Sequence, residues 1–207
     1  MTGTEIITGF ELQVDDLTEL STVEELSLAN KVYHKIAMDR DWEILKKQHT
    51  DTQSTTVPYI ALPSDFAYLT QNANHTNRSY YGERPVVFVG TNYQPYEVVS
   101  WSDRTSVRTD SNKCYIDIAN SRLYFTVQPT VANAVYFDYM SVPADIEAGT
   151  SPVFPARFHK IFQHGMAVED FVLQLSDKAK SYAPENKAMY ESYLDDMAMW
   201  NASLVQL

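Results

Sequence analysis

The stretch that decides the fold is Cys114–Ile146, CYIDIANSRLYFTVQPTVANAVYFDYMSVPADI. Apolar and polar residues alternate within it in short runs, which is the pattern of half-buried β-strands. The dipeptide Asn120-Ser121 is a plausible two-residue hairpin turn after the first run. The predicted strands are Tyr115–Ala119, Arg122–Val127 and Ala134–Met140.

Helical periodicity is found towards both ends of the chain. Ser21 and Glu24 form a capping box that begins a predicted helix over Thr22–Asp39. Apolar residues at three- and four-residue spacing predict a second helix from Phe158 to about Ala179. A third helix begins near Pro184, which suits a first helical turn, and reaches almost to the C-terminus. Each helix has one apolar stripe that it must bury against the others.

These patterns predict an α+β fold. We expect a three-helix bundle formed from the N-terminal helix and two C-terminal helices, with an inserted antiparallel β domain. The expected boundaries are residues 1–20 for an N-terminal tail, 21–49 and 151–207 for the helical bundle domain, and 50–150 for the inserted β domain. The polar segments Gln71–Gly82 and Ser102–Lys113 are expected to be surface loops of the β domain.

The charge balance bears on the function. The 207 residues include 16 Lys and Arg against 27 Asp and Glu, a net charge of −11. Because DNA affinity depends largely on cations that neutralise phosphates, this balance argues against a sequence-reading DNA binder. No apolar run approaches the roughly 18 residues of a membrane span, and the N-terminus lacks the pattern of a signal peptide. We therefore expect intracellular synthesis and no membrane partner.

The residues that usually carry catalysis are scattered. The six glycines are too far apart for a phosphate-binding loop. His159 and His164 are five residues apart, which places them on different faces of a helix, whereas metal ligands on one helix need three or four. The single cysteine, Cys114, is expected to be a small buried residue. The sequence predicts no enzyme, no metal site and no cofactor.

Two features leave alternatives open. The strands are rich in tyrosine, which suits a half-buried sheet but also lines grooves for sugars or peptides. The stripe of the last helix, which includes Tyr193, Met197 and Trp200, is either core or subunit interface.

The order of these elements, with several phrases, resembles the head–tail connector (adaptor or neck) proteins of tailed bacteriophages. The resemblance covers roughly residues 20–200. Besides the β stretch quoted above, it rests on the first helix with its charged-Trp ending (Leu26–Leu45, containing Arg40-Asp41-Trp42-Glu43), on YIALPSDF (Tyr59–Phe66) and on PVFPARFHKIFQH (Pro152–His164).

The resemblance implies a non-enzymatic structural protein of the virion, made in the host bacterial cytoplasm and located at the head–tail interface. Such proteins form a homo-oligomeric ring, usually twelvefold, below the portal protein and above a downstream tail or nozzle protein. Genomic DNA passes through the ring without sequence-specific binding. The interface residues expected by this analogy are Tyr193, Met197, Trp200, Leu204 and Leu207. The alternative function is a β-rich module that recognises carbohydrate or peptide through its Tyr-rich sheet.

Overall fold

The computed structural model describes residues 1–14, 20–70, 86–175 and 179–205. The chain divides into two compact units, a helical unit (Met1–Leu45 and Pro143–Leu207) and a β unit (Lys46–Val142). The presence of helices together with a largely antiparallel sheet confirms the α+β class. The boundary expected at residue 49 falls inside the first strand, and the one expected at residue 150 falls inside the helical unit.

The described part of the helical unit contains four α-helices instead of three. They are α1 (Gly3–Val14), α2 (Thr22–Asp39), α3 (Lys160–Leu173) and α4 (Ala179–Val205). The additional helix, α1, lies where the sequence predicted an N-terminal tail over residues 1–20. The expectation of three helices is therefore replaced by four in the described part of the unit. The physical reason is an apolar stripe at helical spacing, because Ile6, Ile7, Phe10 and Val14 are all buried, and α1 contacts α2 and α3.

Helix α2 begins and ends where the sequence predicts. Its capping box is present: the Ser21 N–H donates to Glu24 Oε2 at 2.8 Å, and the Glu24 N–H donates to Ser21 Oγ at 3.4 Å. These two bonds satisfy donors that the first turn of a helix otherwise leaves free. The buried stripe of α2 includes Leu28, Val32 and Ile36.

The second predicted helix is shorter than expected. Helix α3 ends at Leu173, where Gln174 adopts the left-handed conformation (φ 55°) and the Leu175 N–H donates to the Asp170 carbonyl at 3.2 Å. This hydrogen-bond pattern closes a helix in the same way as a C-terminal glycine. Helix α4 then begins at Ala179, so Pro184 lies inside it and not at its start.

The eight strands described in the β unit form one sheet. The order is β1–β8–β4–β5–β6–β7–β2, and β3 pairs with β8 as well. All pairs are antiparallel except β5 with β6. The strands are β1 (Lys46–Thr52), β2 (Tyr59–Ala61), β3 (Phe66–Leu69), β4 (Val86–Val89), β5 (Gln94–Val98), β6 (Lys113–Asp117), β7 (Arg122–Phe125) and β8 (Ala134–Ser141).

The three strands predicted from Cys114–Ile146 correspond to β6, β7 and β8. The turn between β6 and β7 is longer than the predicted dipeptide, because Asp117 pairs with Arg122 and its carboxylate accepts from the Asn120 backbone and side chain. The predicted loop Gln71–Gly82 lies outside the described residues, and Ser102–Lys113 overlaps a short 3-10 helix, Trp101–Thr105. Strands β1 and β8 are neighbours, with Lys46 opposite Met140, so the chain begins and ends the β unit on adjacent strands.

Candidate assembly surfaces

The charged-Trp turn after α2 anchors the C-terminal part of α4. The Glu43 N–H donates to Asn201 Oδ1 at 2.8 Å, and Asn201 Nδ2 donates to the Asp41 carbonyl at 2.9 Å. Trp42 is fully buried, and its indole N–H donates to the Ile36 carbonyl at 2.7 Å. Through these hydrogen bonds the turn holds Asn201, and with it the C-terminal part of α4, in a defined position.

The predicted interface residues of α4 occupy different environments. Met197 has no exposed surface and belongs to the core of the helical unit. Tyr193 is half-buried and stacks on His164, with ring centroids 5.7 Å apart. Trp200 is half-buried against Phe158, at 5.5 Å, and Leu204 is also half-buried. Leu207 lies outside the described residues.

One flank of α4 therefore combines partial exposure with large apolar side chains. Met189, Tyr193, Trp200 and Leu204 recur at spacings that place them on the same side of the helix. Met189 is 41% exposed. We call this set the α4 flank.

A second apolar surface, which the sequence did not predict, lies where α3 ends. Phe171, Val172, Leu173 and Leu175 are between 42% and 62% exposed, and we call them the α3 end. The helix predicted from Phe158 to about Ala179 would have placed Val172 and Leu175 on its apolar stripe. The sequence does contain a signal for this exposed surface, the segment FVLQL at residues 171–175. Four apolar residues out of five cannot all face one side of a helix, so some of them must be exposed.

The third surface is a row of aromatic rings in the β unit. Tyr59, Tyr124 and Tyr115 lie on the adjacent strands β2, β7 and β6, each directly opposite the next. The Tyr59 and Tyr124 centroids are 5.2 Å apart, and Tyr124 and Tyr115 are stacked at 5.3 Å with ring planes 5° apart. Trp101, from the 3-10 helix before β6, packs edge-on against Tyr115 at 5.6 Å. All three tyrosines are half-buried and Trp101 is exposed.

An arginine covers each end of this row. The Arg122 guanidinium lies 4.1 Å from the centroid of the Tyr59 ring, and the Arg104 guanidinium lies 4.0 Å from that of Trp101. Arg122 also donates to the Tyr124 hydroxyl at 3.3 Å, which raises the pKa of its guanidinium. Neither arginine forms an ion pair with a carboxylate in the described residues. We call the six side chains the aromatic–arginine strip.

The acidity of the chain is confined to one unit. The residues of the helical unit include 8 basic and 19 acidic side chains, whereas the β unit has 8 of each. The helical unit alone therefore accounts for the net charge of −11. Some of its acidic residues are adjacent and exposed, such as Asp195 and Asp196 on α4.

Three further features of the described residues concern metal ligands, the single cysteine and the character of the helices. No group of three or more His, Cys, Asp or Glu side chains is arranged to hold a metal ion in these ranges. Cys114 is fully buried, as predicted, and burial raises the pKa of its thiol, so the nucleophilic thiolate is disfavoured. None of the helices in the described ranges has the length and apolar character needed to cross a bilayer.

Comparison with known proteins identifies the family. A family model with the description "SU10 adaptor protein" matches residues 1–206. No curated protein matches the chain. The family match agrees with the resemblance to phage head–tail adaptors seen in the sequence, and it spans both the helical and the β unit. The chain belongs to the SU10 adaptor protein family.

Proposed function

We propose that this chain is a structural subunit of a tailed-phage virion that forms a twelvefold ring below the portal protein. The observation that carries the proposal is the adaptor family match over residues 1–206. In this role the ring joins the portal to a downstream tail or nozzle protein and continues the channel for genomic DNA. The subunit acts by binding proteins and performs no catalysis.

The exposed apolar surfaces support an assembly role. The α3 end presents four neighbouring apolar side chains to solvent, and the α4 flank presents Met189 together with the half-buried Tyr193, Trp200 and Leu204. Exposed apolar side chains that occur in groups often mark protein–protein contacts, and Trp, Tyr and Met are enriched in such contacts. We propose that the α3 end and the α4 flank contact the portal or a neighbouring subunit.

The net charge is compatible with a DNA channel. A wall of negative sign does not bind phosphates, so DNA moves past it without being held. The 19 acidic residues of the helical unit make that unit the better candidate for the channel side. The channel role predicts no measurable affinity of the purified ring for duplex DNA at physiological salt.

The direct test is reconstitution with the portal protein of the same phage. The full chain is mixed with portal, and the complex is sized by sedimentation velocity and imaged by electron microscopy. A ring of subunits attached to the portal is expected. A chain that stays monomeric in the presence of portal contradicts the proposal.

A matched pair of variants tests the apolar surface. Val172→Ser together with Leu175→Ser removes exposed apolar side chains of the α3 end and should reduce attachment to the portal or assembly by at least about tenfold, as loss of a central apolar contact does. Val23→Ser together with Met38→Ser removes two exposed apolar side chains from α2 and should have little effect. Equal attachment by both variants would remove the α3 end from the interface.

The Tyr-rich sheet supports a second candidate function, recognition of a carbohydrate or peptide. The observation in its favour is the half-buried row Tyr59, Tyr124 and Tyr115, which offers ring faces for stacking. A glycan array and a peptide array would detect such binding. A signal that Tyr124→Ala abolishes would support this function, and an absence of binding on both arrays would exclude it.

A further inference from the structure

The two arginines of the aromatic–arginine strip form no ion pair in the described residues, a property that Arg157 of the helical unit shares. Some cations of the chain do pair with carboxylates: Lys31 and Lys35 bind Glu169, and Lys47 binds Asp65. Arg104 and Arg122 stack on aromatic rings and have no carboxylate within ion-pair distance in the described residues. Within the described ranges both therefore lack a carboxylate partner.

Stacking prepares these guanidinium groups to bind an anion. A ring beneath the guanidinium plane limits its rotation and leaves N–H groups at the edge of the plane available. The edge of a guanidinium group matches a carboxylate, which it binds through two parallel hydrogen bonds. The aromatic row between the two arginines adds apolar contact area. The strip therefore fits a protein surface that carries carboxylates beside apolar side chains.

The helical unit of this chain has that character. It holds the whole excess of acidic residues, and the β unit that bears the strip is balanced. On α4, Asp195 and Asp196 are exposed and form no ion pair with the described residues. The apolar α4 flank lies on the same helix. A second copy of the chain therefore offers the charge and the apolar contacts that the strip lacks.

We propose that the aromatic–arginine strip of one copy binds the acidic side of α4 of a second copy, with one of its two arginines facing the adjacent pair Asp195 and Asp196. This inference rests on the proposed ring, because it assigns the contact that repeats between neighbours. The strip and α4 are different surfaces, so the contact is heterologous and can repeat around a closed ring. A neutral glycan would leave the guanidinium groups unpaired, so it fits the strip less well than a surface that carries carboxylates.

The test is a charge exchange between two full-length variants, assembled with the portal protein. One variant carries Arg104→Glu and Arg122→Glu, so its strip and its α4 are both negative. The other carries Asp195→Lys and Asp196→Lys, so both surfaces are positive. Each variant alone should bind its own neighbours at least about tenfold more weakly than the unmodified chain, since each contact joins like charges. An equimolar mixture should form rings of alternating subunits, because every contact in it joins opposite charges.

The control variant carries Lys160→Glu and Lys187→Glu at exposed residues of the helical unit. It changes the net charge by the same amount as the strip variant with Arg104→Glu and Arg122→Glu, and it should assemble normally. Circular dichroism melts confirm that each variant is folded, and Arg104→Gln with Arg122→Gln replaces the glutamate variant if that one fails to fold. The inference is overturned if the strip variant assembles as well as the unmodified chain, or if the equimolar mixture does not assemble. Either result leaves the proposed ring itself standing. An unmodified chain that forms no ring with portal overturns both proposals. If the unmodified chain binds a glycan or single-stranded DNA and the strip variant does not, the partner of the strip is that ligand and the inference is overturned.

Discussion

Gly165 on α3 lies so close to Val32 on α2 that a Cβ on Gly165 would stand 2.5 Å from Val32 Cγ1. The same Cβ would stand 3.1 Å from the ring of Tyr190 on α4. At Gly165, α2 and α4 therefore both approach the backbone of α3 closely, which leaves no room for a larger side chain. A helix-interior glycine costs about 1 kcal/mol relative to alanine, which the close approach offsets.

Gly165→Ala should destabilise the chain despite the better helix propensity of alanine. The added methyl displaces the buried Val32 side chain, and such overpacking costs about 1–3 kcal/mol. Urea unfolding followed by circular dichroism measures the change. Gly149→Ala is the control, because its Cβ would meet no atom within 4 Å, and it should change the stability by less than about 0.5 kcal/mol.

Glu25 makes the stability decrease at higher pH. Burial, with a smaller effect of the nearby Glu11 charge, raises the pKa of Glu25 to about 7 from an ordinary value of 4.5. The folded state therefore holds a proton that the unfolded state releases, and stability falls as the pH rises through this interval. Glu25→Gln should be more stable than the unmodified chain at about pH 8, by on the order of 1–2 kcal/mol, and the difference should vanish near about pH 4. Thermal melts across this range provide the measurement.

Glu11→Gln separates the two causes of the shift at Glu25. It removes the smaller one, so it should reduce the pH dependence without eliminating it. A Glu25→Gln variant that keeps the pH dependence of the unmodified chain would contradict the assignment to Glu25.

Glu169 should have the opposite pH dependence. Although burial opposes ionisation, hydrogen bonds from Lys31 Nζ at 2.8 Å and Lys35 Nζ at 2.6 Å lower the pKa of Glu169 below 4.5. Its contribution to stability is therefore complete above that value and is lost as the pH falls through the lowered pKa. Glu169→Gln should cost about 1–3 kcal/mol at neutral pH, since a buried charged hydrogen-bond acceptor is lost. Glu191→Gln, which disrupts an exposed pair with Lys187, should cost less than about 0.5 kcal/mol in the same urea titration.

Ser21→Ala tests the capping box at the start of α2. It removes the hydroxyl that accepts from the Glu24 N–H, and loss of an N-cap of this kind costs about 1 kcal/mol. Ser27→Ala is the control, because Ser27 is exposed in the middle of the same helix, where alanine is the better helix former. Equal destabilisation by both changes in chemical denaturation would show that the capping box contributes nothing.

Locally encoded features could be predicted from the sequence. The limits of α2 follow from Ser21 and Glu24 together with the apolar stripe, and all of these act within a few residues. Strands β6 and β7 were predictable for the same reason, since they form a hairpin with a short turn. The end of α3 was not predictable, because Gln174 takes a left-handed conformation that is usually signalled by glycine or asparagine.

Features that depend on distant contacts could not be predicted. The burial of α1 requires α2 and α3, which approach it only after the chain has folded. The helical spacing of Tyr193, Met197 and Trp200 indicates a common stripe, but only packing shows that Met197 is its buried centre. The aromatic–arginine strip needs the register of β2 against β7, and no local pattern specifies which residue lies opposite Tyr59.

The interruption of the helical unit by the β unit has a consequence for synthesis on the ribosome. Helices α1 and α2 are made first, but α3, which covers their apolar stripes, follows only after Lys46–Val142. At roughly 5–20 residues per second, translation of this segment occupies on the order of 5–20 s. During that interval the apolar stripes of α1 and α2 are not yet covered by α3. A nascent chain that exposes apolar surface in this way is a typical substrate for a chaperone. The β unit is continuous in sequence and can complete its sheet as soon as β8 leaves the exit tunnel. We therefore expect the β unit to fold before the helical unit, although the helical unit begins earlier in the sequence.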